Sequence, residues 1–326
     1  MHYCIMSHPK FNREPLVDFQ GIPQFVDDES YVSAFGIQWM NHPETQLDSY
    51  TGSNITRDRM KRMFGPIYNQ ILGKTVLEAG CGAGRFTEIL VENMSLVTAV
   101  DLSIAVEANF QNNGEKQNLR IVKASIMDLP FDDEQFDIVF CPGVLQHTPN
   151  PKLTILHLFR QVKPGGWLIV DQYRYNLSSM LKTTWFLRIF LRRLTPEQGL
   201  KVTNWLVNRL LPLHRLAARY RFFEILLFRI SPITSHYAGY PELSDSDQER
   251  WARLATHDNL TDYHKNLTSI RGMKLNIANL NAINQFFCVM PYTIEVRCQK
   301  PLLNMSSPEL AIPTVIKLKG PKIQSG

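Results

Sequence analysis

Long apolar runs are missing from this chain. No uninterrupted stretch approaches the roughly 20 residues that a membrane-spanning helix requires. Cysteine is also sparse. Cys4, Cys81, Cys141, Cys288 and Cys298 are scattered, odd in number and form no CxxC pair, which argues against a disulfide framework or a zinc site of the usual spacing. The first residues mix His, Pro, Lys and Asp with short apolar stretches, unlike the basic-then-apolar pattern of a secretory leader. A reducing, cytoplasmic setting is therefore expected. Acidic residues are scarce in one place: from Asn176 to Ser235, ten cations face only Glu197 and Glu224. That segment carries +8 within a chain of net charge +5, so the remainder carries −3.

What is present is ordinary globular material: 326 residues, 44% apolar and 20% charged. The length allows one large domain with insertions or two unequal domains. Residues 1–73 form a polar lead-in that contains aromatics. In it, Arg57 to Leu72 reads as a helix interrupted near Gly65 and Pro66. From 74 to 175, short runs rich in branched residues alternate with helix-compatible segments. The runs are Thr75–Ala79, Leu96–Val100, Leu119–Lys123, Phe136–Cys141 and Trp167–Val170. This alternation predicts an α/β fold with a doubly wound, mostly parallel sheet. Residues 176–265 change to helical stretches of aliphatics and arginines, with breaks expected at Thr195-Pro196, Pro212 and Pro232. Strands return over 266–300, at Phe286–Val289 and Tyr292–Cys298. Residues 301–326 carry four prolines and no period, and an unstructured, flexible tail is expected there.

The first strand runs into Glu78-Ala79-Gly80-Cys81-Gly82-Ala83-Gly84-Arg85, and a helix follows. Glycines at these positions permit a sharp turn and close approach to a ligand, and a helix N-terminus favours an anion. Asp101 ends the second strand, where a carboxylate can accept from both hydroxyls of a ribose. These features suggest an adenosine-containing cofactor. The dinucleotide fingerprint G-x-G-x-x-G is not met, because Arg85 stands where its third glycine belongs. That argues against a nicotinamide dehydrogenase.

Four ordered segments, VLEAGCGAGRFT, AVDLS, LPFDDEQFDIVFCPGVLQHTPNP and VKPGGWLIVDQY, resemble the motifs of class I S-adenosylmethionine-dependent methyltransferases. The resemblance covers about Lys74 to Tyr173 and implies a Rossmann-like sheet of seven strands with an antiparallel last strand. A helical insertion would precede the last two strands. It also implies roles. Gly80, Gly82 and Gly84 would wrap the methionine end of S-adenosyl-L-methionine, with Glu78 ordering the loop. Asp101 would hold the ribose, and Leu102 would pack on adenine. Ser125 and Ile126 would meet the adenine edge, and Pro142, Gly143 and Val144 would lie beneath the methyl group. Ser125 departs from the family, which usually places Asp there, so its bond to adenine would lack charge assistance. The flanking segments QGIPQFV, SAFGIQW and TQLDSYTG are similar to bacterial methyltransferases of cell-surface glycan and secondary-metabolite clusters. In that group the lead-in folds over the cofactor, which makes Trp39, Gln46 and Arg59 candidates for its methionine end. Only Cys4 remains of the zinc-binding module that precedes many such relatives, and no metal is implied.

His147 follows the fourth strand beside the expected methyl and is the candidate general base for a hydroxyl or acidic nitrogen acceptor. The alternative is a structural histidine that bonds the next turn. Tyr173, Tyr175, Tyr263 and His264 are candidate acceptor-binding residues. The last two belong to a polar cluster with His257, Asp258 and Asp262. The basic segment over 180–230 can be a substrate lid packed on itself, a peripheral membrane contact or, less in keeping with its aliphatics, a nucleic-acid surface. The expected activity is methyl transfer to O or N of a small-molecule, glycan or lipid-linked acceptor. The alternatives are a non-catalytic protein that binds membrane or a partner through the basic helices, or a tRNA methyltransferase.

Overall fold

The computed structural model describes residues 7–27, 33–175, 183–302 and 313–318. Cys4 lies outside these residues, as do parts of the expected insertion and tail. One mixed sheet organises the chain. Its first two strands, β1 (Val17–Phe19) and β2 (Ile22–Gln24), form a small hairpin. Five parallel strands make its centre: β3 (Thr75–Ala79), β4 (Leu96–Asp101), β5 (Leu119–Lys123), β6 (Phe136–Cys141) and β7 (Val162–Tyr173). Then β8 (Ile283–Val289) and β9 (Thr293–Gln299) return, and β10 (Thr314–Lys317) closes the far edge. The order across the sheet is β1-β2-β5-β4-β3-β6-β7-β9-β8-β10. β9 runs antiparallel to both neighbours.

The central seven strands thus have the expected arrangement, but among the described residues the sheet counts ten strands. A single residue pair, Gln24 with Lys123, joins the hairpin to β5, and β10 lies parallel to β8. The unpatterned tail expected over 301–326 is corrected at Thr314–Lys317.

Burial on both faces explains the near-continuous apolar reading of the central strands. Val76, Ile138 and Phe140 point into one core, while Leu77, Val139 and Cys141 point into the other, as the two-residue period of a strand requires. In the lead-in come α1 (Ser33–Asn41), α2 (Asp48–Thr51) and α3 (Ile55–Phe64). A 3-10 turn over Gly65–Gln70 follows α3, where the helix break was expected. Between the central strands lie α4 (Arg85–Glu92), α5 (Ala105–Asn113) and α6 (Pro151–Gln161). The side chain of Asn150 accepts from Leu153 N–H and caps α6, with Pro151 at its first position.

The described part of the insertion is helical: α7 (Thr183–Leu191), α8 (Pro196–Ala217), α9 (Arg221–Ile230) and α10 (Asp245–Thr261). Thr195 and Gln198 form a capping box, so Thr195-Pro196 starts α8. The break expected at Pro212 is corrected, since α8 continues through it. Pro212 sits on the exposed side, where water can satisfy the carbonyl it leaves without a donor. Finally α11 (Ile270–Ala278), capped by Ser269, precedes β8. No described helix is long and apolar enough to cross a membrane.

Candidate active site

A cavity of about 360 Å³ opens at the C-terminal ends of the central parallel strands, where ligands of open α/β sheets sit. Its floor is the turn between β3 and α4. Gly80 has φ +79°, and a Cβ there would come within 2.2 Å of a Val144 methyl. Both the left-handed backbone and the close approach therefore require glycine. The carboxylate of Asp101 closes this turn, accepting from Gly82 N–H at 2.9 Å through one oxygen. Through the other it accepts from Ser103 N–H and Oγ. Gly80, Gly82, Asp101, Leu102, Ile126, Pro142, Gly143 and Val144 all line the cavity.

Beneath the turn lies a buried polar chain. Thr87 Oγ1 donates to Glu78 Oε2 at 2.6 Å, and Asn109 Nδ2 donates to Thr87 Oγ1 at 2.9 Å. Asn113 then donates to Asn109 Oδ1 and to the carbonyl of Gly84. Glu78 and Gly84 thus brace the loop from below and stand outside the cavity lining. Burial pushes Glu78 up to about 8 despite the Thr87 hydroxyl, so its carboxyl is largely protonated at neutral pH.

Two arginines reach the lining. Arg59, on α3, is engaged by Asp171 of β7 at 2.6 Å, and Asp171 also accepts from Gly143 N–H. Although burial opposes its charge, Asp171 and Glu295 hold Arg59 above its usual value. The expected cofactor-carboxylate partner is thus already paired with a structural carboxylate. Arg85, which in the sequence stands out only by breaking the dinucleotide fingerprint, is the first residue of α4. Its guanidinium donates to Gln46 Oε1 at 2.7 Å and to Thr56 Oγ1, and lies over the rings of Phe86 and Trp251. Among the described residues, no carboxylate makes an ion pair with it. Burial, reinforced by repulsion from Arg59, lowers it to about 10. A half-buried cation at a helix N-terminus suits an anionic ligand group.

The opposite wall comes from the insertion: His236, Tyr240 and, on α10, Trp251, Leu254, Ala255 and Asp258. The Trp251 indole donates to the carbonyl of Thr45 at 2.6 Å, joining α10 to the lead-in above the cavity. Trp39 of α1 faces Gly82 across the same space, with its ring 3.4 Å from the position of an added Cβ.

His147 ends a short 3-10 turn after β6 and lines the cavity with Tyr173. Its Nδ1 lies 3.2 Å from Asp262 Oδ2, and its Nε2 lies 3.7 Å from Asp258 Oδ1. The ring stands edge-on to Tyr173, whose hydroxyl donates to Asp258 at 3.5 Å. Burial lowers the His147 pKa, opposed in part by Asp258, so the imidazole is neutral at pH 7. The Arg188 guanidinium pairs with Asp262 and donates to the carbonyls of Asn259 and Asp262. His147, Asp258 and Asp262 can each offer one ligand atom within 4.8 Å of the others. A divalent cation bound by all three would compete with Arg188 for Asp262.

Like Gly84, the expected contacts Ser125, Tyr175, Tyr263 and His264 fall outside the lining. The Ser125 hydroxyl accepts from Met127 N–H, which turns the chain so that Ile126 and Met127 face inward instead. Asp128 makes a surface ion pair with Arg13. Tyr175 leaves β7 where Arg174 bridges to Thr268, and its own N–H is donated to the Thr268 carbonyl. Tyr263 and His264 follow the C-cap of α10 at Asp262, so the chain turns there. Tyr263 is exposed and carries the Arg192 guanidinium over its ring. His257 packs against Thr203 between α10 and α8. Of the polar cluster near the end of α10, the carboxylates of Asp258 and Asp262 face His147, and the His264 backbone bonds to its ring.

Residues 77–170 match the family model described as "Methyltransferase domain". A ubiquinone biosynthesis O-methyltransferase of Coxiella burnetii is 35% identical over 113 residues, 34% of this chain and 48% of that protein. The protein of the same name from Pseudomonas fluorescens is 28% identical over 182 residues, covering 53% and 75%. A solved S-adenosylmethionine-dependent methyltransferase from Methanosarcina mazei aligns with a TM-score of 0.43 at 17% identity, over 73% of this chain and 98% of that one. The chain spans about half the length of the Coxiella relatives that it matches. Over residues 77–170 the chain is thus similar to methyltransferase domains.

Proposed function

We propose that the protein transfers the methyl group of S-adenosylmethionine to an oxygen of a small acceptor, with His147 as general base. The observation that carries this reading is the His147 imidazole in the cavity, set between Asp262 and Asp258 next to the Pro142–Val144 turn.

The residues present fit the cofactor. Arg85, a half-buried cation that makes no ion pair among the described residues, would take its carboxylate. Asp101 would take the ribose hydroxyls, and Leu102 and Ile126 offer apolar surface for adenine. When bound, the cofactor supplies an activated methyl group and its own leaving group. The chain contributes alignment, exclusion of water and a place for the acceptor's proton. Asp262, 3.2 Å from Nδ1, would stabilise the imidazolium formed on proton uptake, while Asp258 and Tyr173 border the acceptor's approach. The relatives named O-methyltransferases support oxygen as the acceptor atom. The acceptor's class, glycan or lipid-linked among them, is part of the proposal, as is kinship to glycan and secondary-metabolite clusters.

The test starts with calorimetry against S-adenosylmethionine and with labelled cofactor in a cell extract fractionated into lipid, sugar, nucleic-acid and protein pools. Label confined to nucleic acid rejects the small-acceptor reading, and absence of cofactor binding at millimolar concentration rejects the enzyme. With the labelled acceptor in hand, His147→Ala should lower kcat by about 10²-fold or more and leave cofactor affinity unchanged. Because burial depresses this histidine, wild-type kcat/KM should reach half its plateau below pH 6.5 and stay level above it. Unchanged turnover in the variant removes His147 from the mechanism.

A further inference from the structure

The second half of the insertion exposes bulky apolar side chains next to arginines. On α9, Phe222 is 73% exposed, and Phe223, Ile225 and Leu226 are exposed beside it. The neighbouring end of α8, against which α9 packs, adds Leu213 and Leu216. Soluble monomers rarely present so much contiguous apolar surface without a partner for it. Exposed Arg209, Arg215, Arg219 and Arg229 lie on the same two helices or the turn between them. The surrounding 176–235 segment holds ten cations and two acids.

This surface has a fixed relation to the cavity. The ring of Phe228 meets that of Tyr292 at 5.8 Å. The carbonyl of Tyr292 accepts from Arg174 N–H, one residue beyond Tyr173 in the cavity wall. The turn between β8 and β9 emerges at the edge where β7 ends, because Tyr173 pairs with Thr293. The apolar helix is thereby anchored to the edge of the sheet that bears the cavity.

We propose that α9 and the end of α8 dock on an anionic lipid bilayer, with the aromatic and aliphatic side chains in the interface and the arginines at the head groups. This orientation sets the β7 edge of the cavity at the lipid surface, from which an apolar acceptor is drawn. That last step rests on the methyl-transfer reading above. An amphipathic cationic helix of this composition suits an interface with anionic head groups. A second copy of the chain fits less well, since a two-fold contact would set arginines against arginines. Nucleic acid would leave the phenylalanines and leucines without an apolar partner.

The full chain is sedimented with vesicles of phosphatidylcholine alone and of phosphatidylcholine with about a third phosphatidylglycerol, a proportion chosen to give a strongly negative surface. Binding is expected to the second and not the first, and to weaken as salt is raised. Phe222→Ser combined with Phe223→Ser should reduce it by about tenfold or more, from the lost apolar burial. Cofactor calorimetry on the same variant reports that the fold is intact. Arg209→Glu with Arg219→Glu gives a second disruption that leaves apolar packing alone. No binding to phosphatidylglycerol vesicles overturns the proposal, as does undiminished binding by both variants. A dimer in solution that the phenylalanine variant abolishes also overturns it, assigning the face to a second copy. Vesicle binding with no cofactor binding keeps the docking surface and removes the methyl-transfer reading.

Discussion

Glu78 is the side chain whose charge matters most to the loop it braces. It is fully buried, bonded to Thr87, and raised to about 8 from an ordinary value near 4.5. A carboxyl raised on folding contributes stability that is fully present below its unfolded pKa and is lost as pH climbs through the folded one. Between about pH 4.5 and 8 the protein should therefore lose stability relative to Glu78→Gln, which keeps an acceptor for Thr87 and cannot ionise. Thermal unfolding of both proteins across this range measures the difference, and parallel curves would show that Glu78 is charged in the fold. Arg85 and Arg59 offer a second contrast. Arg59 is paired with Asp171, which also accepts from Gly143 N–H, whereas the side-chain partners of Arg85, Gln46 and Thr56, are neutral. Arg85→Met should weaken cofactor binding by about tenfold to a hundredfold, the worth of one charge-assisted bond, with little loss of stability. Calorimetry with the cofactor decides it, and an unchanged affinity would move the carboxylate site elsewhere.

The central elements were legible because their signals are long and redundant. The strands β3 to β7 are buried on both faces, so each appears as a branched apolar run, and the glycine turn needs residues that little else requires. The strands missed were β1, β2 and β10, of three to four residues each. Such strands are too short to show alternation and form because a neighbour's edge offers hydrogen bonds. Pro212 misled for a related reason, since tertiary packing of α8 against α10 outweighs one lost backbone bond on a wet face. At the site, composition located the cluster near the end of α10 but could not say which members face inward. The facing depends on where the helix stops. With the C-cap at Asp262, Asp258 and Asp262 lie one turn apart on the face toward His147, while Tyr263 and His264 fall outside the cavity lining and His264 meets His147 through its backbone. Arg85 was visible only as a missing glycine, because its role depends on Thr56, Gln46 and Trp251, which are distant in sequence.

At the scale of the whole molecule, the cavity is assembled from three stretches of chain that the sequence separates widely. The lead-in supplies Trp39 and Gln46, the central sheet supplies the glycine turn and Asp101, and the insertion supplies Tyr240, Trp251 and Asp258. Among the described residues, the first meets the third through the Trp251 indole on Thr45, Ile55 packed with Leu243 and Trp251, Arg250 over Tyr50, and packing of α1 on α8 and α10. A ligand that fills the space between them adds contacts to all three at once, and such contacts stabilise only the closed arrangement. Cofactor binding should therefore slow amide hydrogen exchange together in residues 38–47, 80–86 and 248–258. The α9 and β10 amides, which lie outside the lining, should exchange as before. Protection confined to 80–86 would mean that the insertion does not wall the cofactor, and its residues would then serve the acceptor alone. Slowed exchange across α9 in the absence of lipid would instead show that cofactor binding reorganises the basic helices, coupling the cavity to the surface proposed to meet the bilayer.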